Sequence, residues 1–247
     1  MGGADVVRKI LFFFMILTLG TSFGWWSNYD ESYVPDIYDF APTGMTKAAK
    51  SSVIITILDK ETNPISNGSG NYFRHKGHLF IITAAHVVDK GDYIAIQERG
   101  PNIEFARVIY TDPVNDLAVL VTEKQLKYTK PIHYHVDKKL EYAEPICYVG
   151  APAGVAFYPS QGFAVEKRGN YILTNIFAWP GSSGSVVFSD DGIVGVVSSV
   201  MMKQDAFGVD LIPNIALLSD INTLDIEVLE DLLKYARDSV KRGDADK

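Results

Sequence analysis

Trp179-Pro180-Gly181-Ser182-Ser183-Gly184-Ser185 sets a serine between glycines, directly ahead of the apolar run Val186-Val187-Phe188. Such a turn presents a hydroxyl at a sharp bend with backbone N–H groups beside it, although a glycine-serine run alone reads as an ordinary turn. Two upstream segments change that reading. Ile81-Ile82-Thr83-Ala84-Ala85-His86-Val87-Val88 carries a histidine at the edge of a strand-like run, and Asp112-Pro113-Val114-Asn115-Asp116-Leu117-Ala118-Val119-Leu120 carries an aspartate at another. A serine hydroxyl is a poor nucleophile at neutral pH, but a neutral imidazole in reach can remove its proton as it attacks a carbonyl. A buried carboxylate then holds the ring tautomer and stabilises the imidazolium. The developing oxyanion needs donors already in place, and the N–H groups of Gly181 and Ser183 are the candidates. By residue type alone, Asp112 competes with Asp116, and Ser182 and Ser185 compete with Ser183.

These segments resemble those of trypsin-fold (chymotrypsin-like) serine proteases, in particular the high-temperature-requirement (Htr/Deg) type. That family's histidine segment reads T-[AN]-A-H-V-V, here Thr83 to Val88. Its aspartate segment reads D-L-A-V-L, here Asp116 to Leu120. Its serine segment reads T-D-A-x-[IL]-N-P-G-N-S-G-G-P, here Thr174 to Val186. Gly68-Ser69-Gly70, Tyr148-Val149-Gly150-Ala151-Pro152 and Phe207-Gly208-Val209 are similar to its G-S-G, its [AV]-[IV]-G-N-P and a segment lining its specificity pocket. The resemblance runs from about Ser51 to Pro213. It implies His86, Asp116 and Ser183 as catalytic residues, with Gly181 and Ser183 as the oxyanion hole. It also implies substrate binding by Phe177 at the pocket base, by Ser198, Ser199 and Val200 as a strand edge, and by Gly208 as a pocket wall.

The chain departs from the family pattern, and three of the departures surround the nucleophile. One glycine and the proline after the nucleophile are replaced by Ser185 and Val186, which predicts an altered backbone there and not lost catalysis. Trp179 replaces a small polar residue beside the oxyanion turn, which bears on substrate fit. Ser182 stands where digestive trypsin-like enzymes have an aspartate that pairs with a newly cut N-terminus. It has no charge for a buried ammonium, so activation by that route is not expected.

The chain has 247 residues, 47% hydrophobic and 21% charged, with net charge −7. This is globular composition, and without a long Lys/Arg block no nucleic-acid partner is expected. Arg8-Lys9 precedes the apolar run Ile10 to Gly20, and Ser22-Phe23-Gly24 offers small residues for cleavage, so residues 10–26 read as an export signal or, uncleaved, as a membrane anchor. The rest is then expected to be exported, to the periplasm or outside the cell. Cys147 is the single cysteine, in an apolar run, and reads as a small buried residue. His133 and His135 would share one strand face but lack further ligands, so neither a metal nor another cofactor is expected. His75 and His78 read as exposed hairpin residues. Asn67-Gly68-Ser69 matches a glycosylation acceptor but reads better as a turn.

From Val53 onward, short β-type runs follow one another. They are 53–58, 71–73, 79–83, 93–97, 105–110, 117–121, 146–149, 162–166, 171–174, 185–188, 192–199 and 207–211. Regular strands without intervening helices argue for an all-β sandwich or barrel. The resemblance makes this two packed six-stranded antiparallel β-barrels, with the site in the cleft between them. Ile226, Leu229, Leu233, Ala236 and Val240 recur at helical spacing, predicting a C-terminal helix that packs on the second barrel. The expected organisation is signal or anchor over 1–26, linker and short helix over 27–50, protease domain over 51–220, and helix and tail over 221–247. About 34 residues follow Pro213, too few for a peptide-binding PDZ domain of typical size.

The function these readings imply is an exported serine endopeptidase that acts on polypeptides through an acyl-enzyme. Homo-oligomers are a further expectation, since members of this type are often trimers. The alternative is a non-catalytic module that holds peptides or unfolded chains on a protease fold. An esterase of unrelated fold is disfavoured, because no strand-helix alternation surrounds Ser183.

Overall fold

Valine, isoleucine and phenylalanine fill the strand-like runs, and such side chains suit a pleated, half-buried surface. The computed structural model describes residues 43–137, 140–205 and 208–243. The expected signal or anchor at residues 10–26 lies outside them. Strands β1 (Ser52–Leu58), β2 (Pro64–His75), β3 (His78–Thr83), β4 (Tyr93–Gln97), β5 (Ile103–Asp112) and β6 (Leu117–Thr122) pair in the order β1-β4-β5-β6-β3-β2. β2 pairs back onto β1 and closes a six-stranded antiparallel barrel. A short strand that the sequence did not suggest, β7 (Ile132–His133), adds in parallel to β2. Strands β8 (Pro145–Gly150), β9 (Tyr158–Arg168), β10 (Tyr171–Thr174), β11 (Val186–Phe188), β12 (Ile193–Asp205) and β13 (Gly208–Asp220) close the second barrel in the order β10-β13-β12-β11-β8-β9. Closure leaves the main strands of neither barrel with a free edge along their full length.

Asn67-Gly68 does not form the expected turn. It lies within β2, where Gly68 pairs with Ile55. Asp191-Gly192 does turn, with the Ser189 N–H donating to the Gly192 carbonyl at 2.9 Å. One apolar cluster runs through both barrels, so Phe73 of the first meets Phe188 of the second with ring centroids 6.3 Å apart. A polar seam accompanies it. The Ser52 hydroxyl donates to the Val149 carbonyl at 2.8 Å, and the Asn71 side chain accepts the Val186 N–H at 3.0 Å. These two buried polar side chains are tolerated there because each is partnered. Helix α1 (Thr43–Ser51) enters β1 and is tied to the second barrel, where the Asp190 carboxylate accepts the Gly44 N–H at 3.1 Å.

The C-terminal helix (Ile226–Gly243), numbered α3 below, forms as its periodicity predicts, but it packs on the first barrel. After β13 a 3-10 turn at Ile221–Thr223 redirects the chain, with the Asp220 carboxylate accepting the Asn222 N–H at 3.0 Å. Leu229 and Leu233 then bury against the first barrel's apolar cluster, alongside Ile109 and Tyr110. Glu230 accepts from His75 at 2.8 Å and from Lys76 at 2.9 Å, and Arg107 donates to the Ala236 carbonyl at 3.1 Å. His75 and His78 are cross-strand neighbours in the hairpin as expected, but both are half-buried, and α3 covers His75.

Candidate active site

The chain from β3 turns at Ala84 into a one-turn helix, α2 (Ala85–Val88). Ala85 and Val87 point inward, which leaves the His86 side chain 46% exposed at the cleft. The aspartate is placed by the turn before β6. There the Asp112 carboxylate accepts the Val114 N–H at 3.0 Å, the Asn115 N–H at 3.1 Å and the Asn115 side-chain amide at 2.6 Å. Asp112 is thereby engaged in shaping the turn. Asp116 follows in a left-handed conformation, φ +51°, which aspartate tolerates better than most residues.

His86 and Asp116 are joined twice. The imidazole Nδ1 lies 2.8 Å from Asp116 Oδ2 and 3.0 Å from Oδ1, and the His86 backbone N–H donates to Oδ1 at 2.9 Å. The Ser198 hydroxyl, from the second barrel, donates to Oδ2. The Asp116 bond holds the His86 pKa above its ordinary 6.5, against the opposing effect of burial. Burial pushes the Asp116 carboxyl up, but the bonds from the His86 ring, the Ser198 hydroxyl and the His86 N–H together hold it below its usual range. With Nδ1 engaged, Nε2 is the ring nitrogen left for a proton transfer.

Ser183 sits half-buried in a turn that needs two glycines in left-handed conformations, Gly181 at φ +101° and Gly184 at φ +87°. A Cβ on Gly184 would run into the Thr83 hydroxyl and the Ser69 carbonyl, so the turn docks against the segment leading to His86. Ser69 of β2 fastens that docking. Its N–H donates to the Ser183 carbonyl at 2.8 Å, its hydroxyl donates to the Gly181 carbonyl at 2.8 Å, and the same hydroxyl accepts the Ala151 N–H at 3.0 Å. The turn's own peptides are also fixed. The Pro180 carbonyl accepts from the Ala153 N–H at 2.8 Å, and the Ser182 carbonyl accepts from the Ser185 N–H at 3.0 Å. In a trans peptide the N–H points opposite the C=O, so the N–H groups of Gly181 and Ser183 turn away from those partners. Among the described residues neither donates to a protein group. The substitutions after Ser183 leave the turn formed. Ser185 is buried beside Gly150, and the Gly184 N–H donates to the Val197 carbonyl at 2.8 Å.

Pairing of β11 with β12 ends at Val196, so Ser198, Ser199 and Val200 have a strand neighbour only on the β13 side. Phe177 is half-buried beside the turn, its ring 6.0 Å from that of Tyr158. Gly208 is not where the sequence suggested. It pairs with Asp205, five steps along β12 from Val200 and about 16 Å away at ~3.3 Å per residue. The β12–β13 hairpin is longer than the motifs foretold. Pro213 lies in the stretch of β13 facing Val200 instead, and its carbonyl accepts the Ala178 N–H at 2.7 Å. The hydroxyls of Ser69 and Ser198 were legible only as small polar residues, because their partners lie 112 and 82 residues away in the chain.

His133 and His135 are exposed, and among the described residues no group of three or more His, Cys, Asp or Glu could hold a metal ion. Cys147 is buried, and burial pushes its thiol up to about 12. No helix among the described residues is long and apolar enough to cross a membrane.

Two closed antiparallel barrels thus carry a histidine-aspartate pair on one and a glycine-flanked serine turn on the other, the turn docked against the segment that leads to the histidine. The family model described as a trypsin-like peptidase domain matches residues 68–196, just over half of the chain, and the chain belongs to that family. A protein named "Probable periplasmic serine endoprotease DegP-like" from Marinomonas sp. (strain MWYL1) is 30% identical over 153 residues, 58% of this chain and 31% of that protein. The "Serine protease Do-like HtrA" of Bacillus subtilis (strain 168) is 25% identical over 205 residues, 73% of this chain and 45% of that protein. The chain thus spans between about a third and a half of these relatives' length. Among solved structures, the serine endoprotease from Yersinia pestis superposes with a TM-score of 0.61 at 20% identity, covering 82% of this chain and 68% of that one, and so shares the fold.

Proposed function

We propose that this chain is an exported serine endopeptidase that hydrolyses peptide bonds through an acyl-enzyme. The observation that carries the reading is the His86–Asp116 pair, bonded through Nδ1 at 2.8 Å, beside a turn that offers Ser183 with two undonated N–H groups. In this scheme Ser183 Oγ attacks the scissile carbonyl carbon and His86 Nε2 takes the hydroxyl proton. Asp116 keeps the ring in the correct tautomer and stabilises the imidazolium. The Gly181 and Ser183 N–H groups receive the oxyanion, each such donor contributing about 3–4 kcal/mol to lowering the barrier. His86 returns its proton to the leaving amine as the C–N bond breaks. It then takes a proton from the water that attacks the acyl-enzyme and passes it to Ser183 Oγ as the ester bond breaks, which frees the acid product and restores the hydroxyl.

The free edge at Ser198, Ser199 and Val200 would take an extended substrate as an added strand. Phe177, Val200 and Pro213 would line the pocket for the side chain before the cut. None carries a charge, so small or medium apolar side chains fit and an unpaired cation does not. Trp179, 37% exposed at the rim, would meet the residues flanking the cut. Arg8-Lys9 and the apolar run after it support export, in keeping with the word periplasmic in a relative's name.

Digestion of a denatured protein or peptide library with the wild type and with Ser183→Ala tests this reading. Cleavage after apolar residues by the wild type alone is expected. Dominant cleavage after Lys or Arg contradicts the pocket, and equal cleavage by Ser183→Ala contradicts the mechanism.

A further inference from the structure

Two departures from the family pattern meet inside the second barrel. Tyr148 stands where the pattern has Ala or Val, and Ser182 where it has Asn. Both side chains are wholly buried. The Tyr148 phenol lies 2.9 Å from Ser182 Oγ and 2.8 Å from the Phe177 carbonyl. The Trp179 N–H donates to Ser182 Oγ at 3.2 Å, and the Ser160 hydroxyl donates to the Phe177 carbonyl at 2.9 Å. A phenol has one proton, and a carbonyl can only accept. One direction of donation satisfies all four contacts. Trp179 N–H donates to Ser182, the Ser182 hydroxyl donates to Tyr148, and the Tyr148 hydroxyl and that of Ser160 both donate to Phe177.

This relay holds the segment from Phe177 to Ser182 at three points, the proposed pocket base, the rim tryptophan and the residue between the two proposed oxyanion donors. Ser182 has no charge, so an N-terminal ammonium has no partner in this turn. Burial pushes the Tyr148 phenol above its ordinary pKa, so it remains a donor at neutral pH.

We propose that the Tyr148 hydroxyl, acting through Ser182, is the positioning group that sets the oxyanion turn. The proposal rests on the serine-endopeptidase reading. Tyr148→Phe removes one oxygen and keeps the ring in the core; Ser182→Ala breaks the same relay from its other end and serves if the first variant folds poorly. Each should lower kcat/KM on a peptide substrate by about tenfold, the effect of one buried hydrogen bond expressed in the transition state. The double variant should be little worse than either single one, because all three break one network. Affinity for a peptide boronic acid should fall by the same factor, while binding of an uncleaved peptide in the Ser183→Ala background and the acid limb of the pH profile stay as in wild type.

Wild-type turnover in both single variants overturns the proposal and leaves the protease reading standing. So does a double variant whose losses multiply, or a matching loss of plain peptide binding, which marks general disorder of the barrel. A wild type that neither cleaves peptides nor is inhibited by the boronic acid overturns the underlying reading itself.

Discussion

The Ser198 hydroxyl, on the second barrel, donates to Oδ2 of Asp116 on the first, so the carboxylate that orients His86 is itself held from across the cleft. Ser198→Ala removes one of the bonds that keep the Asp116 carboxyl low. With its charge less spread, Asp116 should draw the His86 proton more strongly. kcat/KM at neutral pH should fall about threefold to tenfold, the scale of one lost charge-assisted bond. The acid limb should move to higher pH. A limb that moves to lower pH would contradict this coupling.

A base must be neutral to accept a proton, and Asp116 holds the His86 pKa above 6.5. The pH profile of kcat/KM should therefore rise with pH and reach half its plateau above 6.5. Stability runs the other way. A folded-state pKa raised above the unfolded value contributes stability that is full below the unfolded value and is lost as pH rises through the folded one. The part of stability due to His86 should thus decline over the window in which activity appears. Asp116→Asn should remove this feature from both curves and cut turnover by about 10⁴-fold, as in other Ser-His-Asp enzymes. Kinetics paired with denaturant melts across this pH range would check both signs.

Ser69→Ala leaves the Ala151 N–H and the Gly181 carbonyl without their shared partner at a fully buried site. A loss of about 1–3 kcal/mol in unfolding free energy is expected. Because the lost bonds hold the Ser183 turn to the first barrel, kcat should fall as well. Urea melts and initial rates on the same preparation would read the two effects. Unchanged kcat would show that the turn keeps its place without Ser69.

Leu229→Ala empties a site that is 0% exposed beneath α3. It should destabilise the protein by about 2–5 kcal/mol, the usual range for a core leucine. The helix packs on β5 and β3 of the first barrel, so kcat at a temperature well below unfolding should stay near wild type. Thermal melts and peptide kinetics would separate these outcomes.

How much was legible beforehand depended on the range of the interaction. His86, Asp116 and Ser183 each sit in a local motif whose side-chain type states its chemistry, and the strands around them follow from β-branched runs. The partners of Ser69, Ser198 and Tyr148 are 112, 82 and 34 residues away, and nothing local distinguishes a bonded hydroxyl from a solvated one. The helical period of Leu229 and Leu233 required a buried face but did not specify which barrel would cover it. Gly208 was misplaced because no motif constrains how far the β12–β13 hairpin extends before it returns to Pro213. The turn expected at Asn67-Gly68 failed for a related reason. Its pairing with β1 across Ile55 and Thr56 outweighs local turn preference.

In the proposed scheme Ser183 is the nucleophile and His86 its base. Labelling the folded protein with a fluorophosphonate and mapping the adduct by mass spectrometry tests it most directly. One adduct, on Ser183, is predicted at pH 8, much slower to form at pH 5 and in His86→Ala, and absent from Ser183→Ala. No adduct on folded wild-type protein, or one that persists in Ser183→Ala, would rule out Ser183 as the nucleophile.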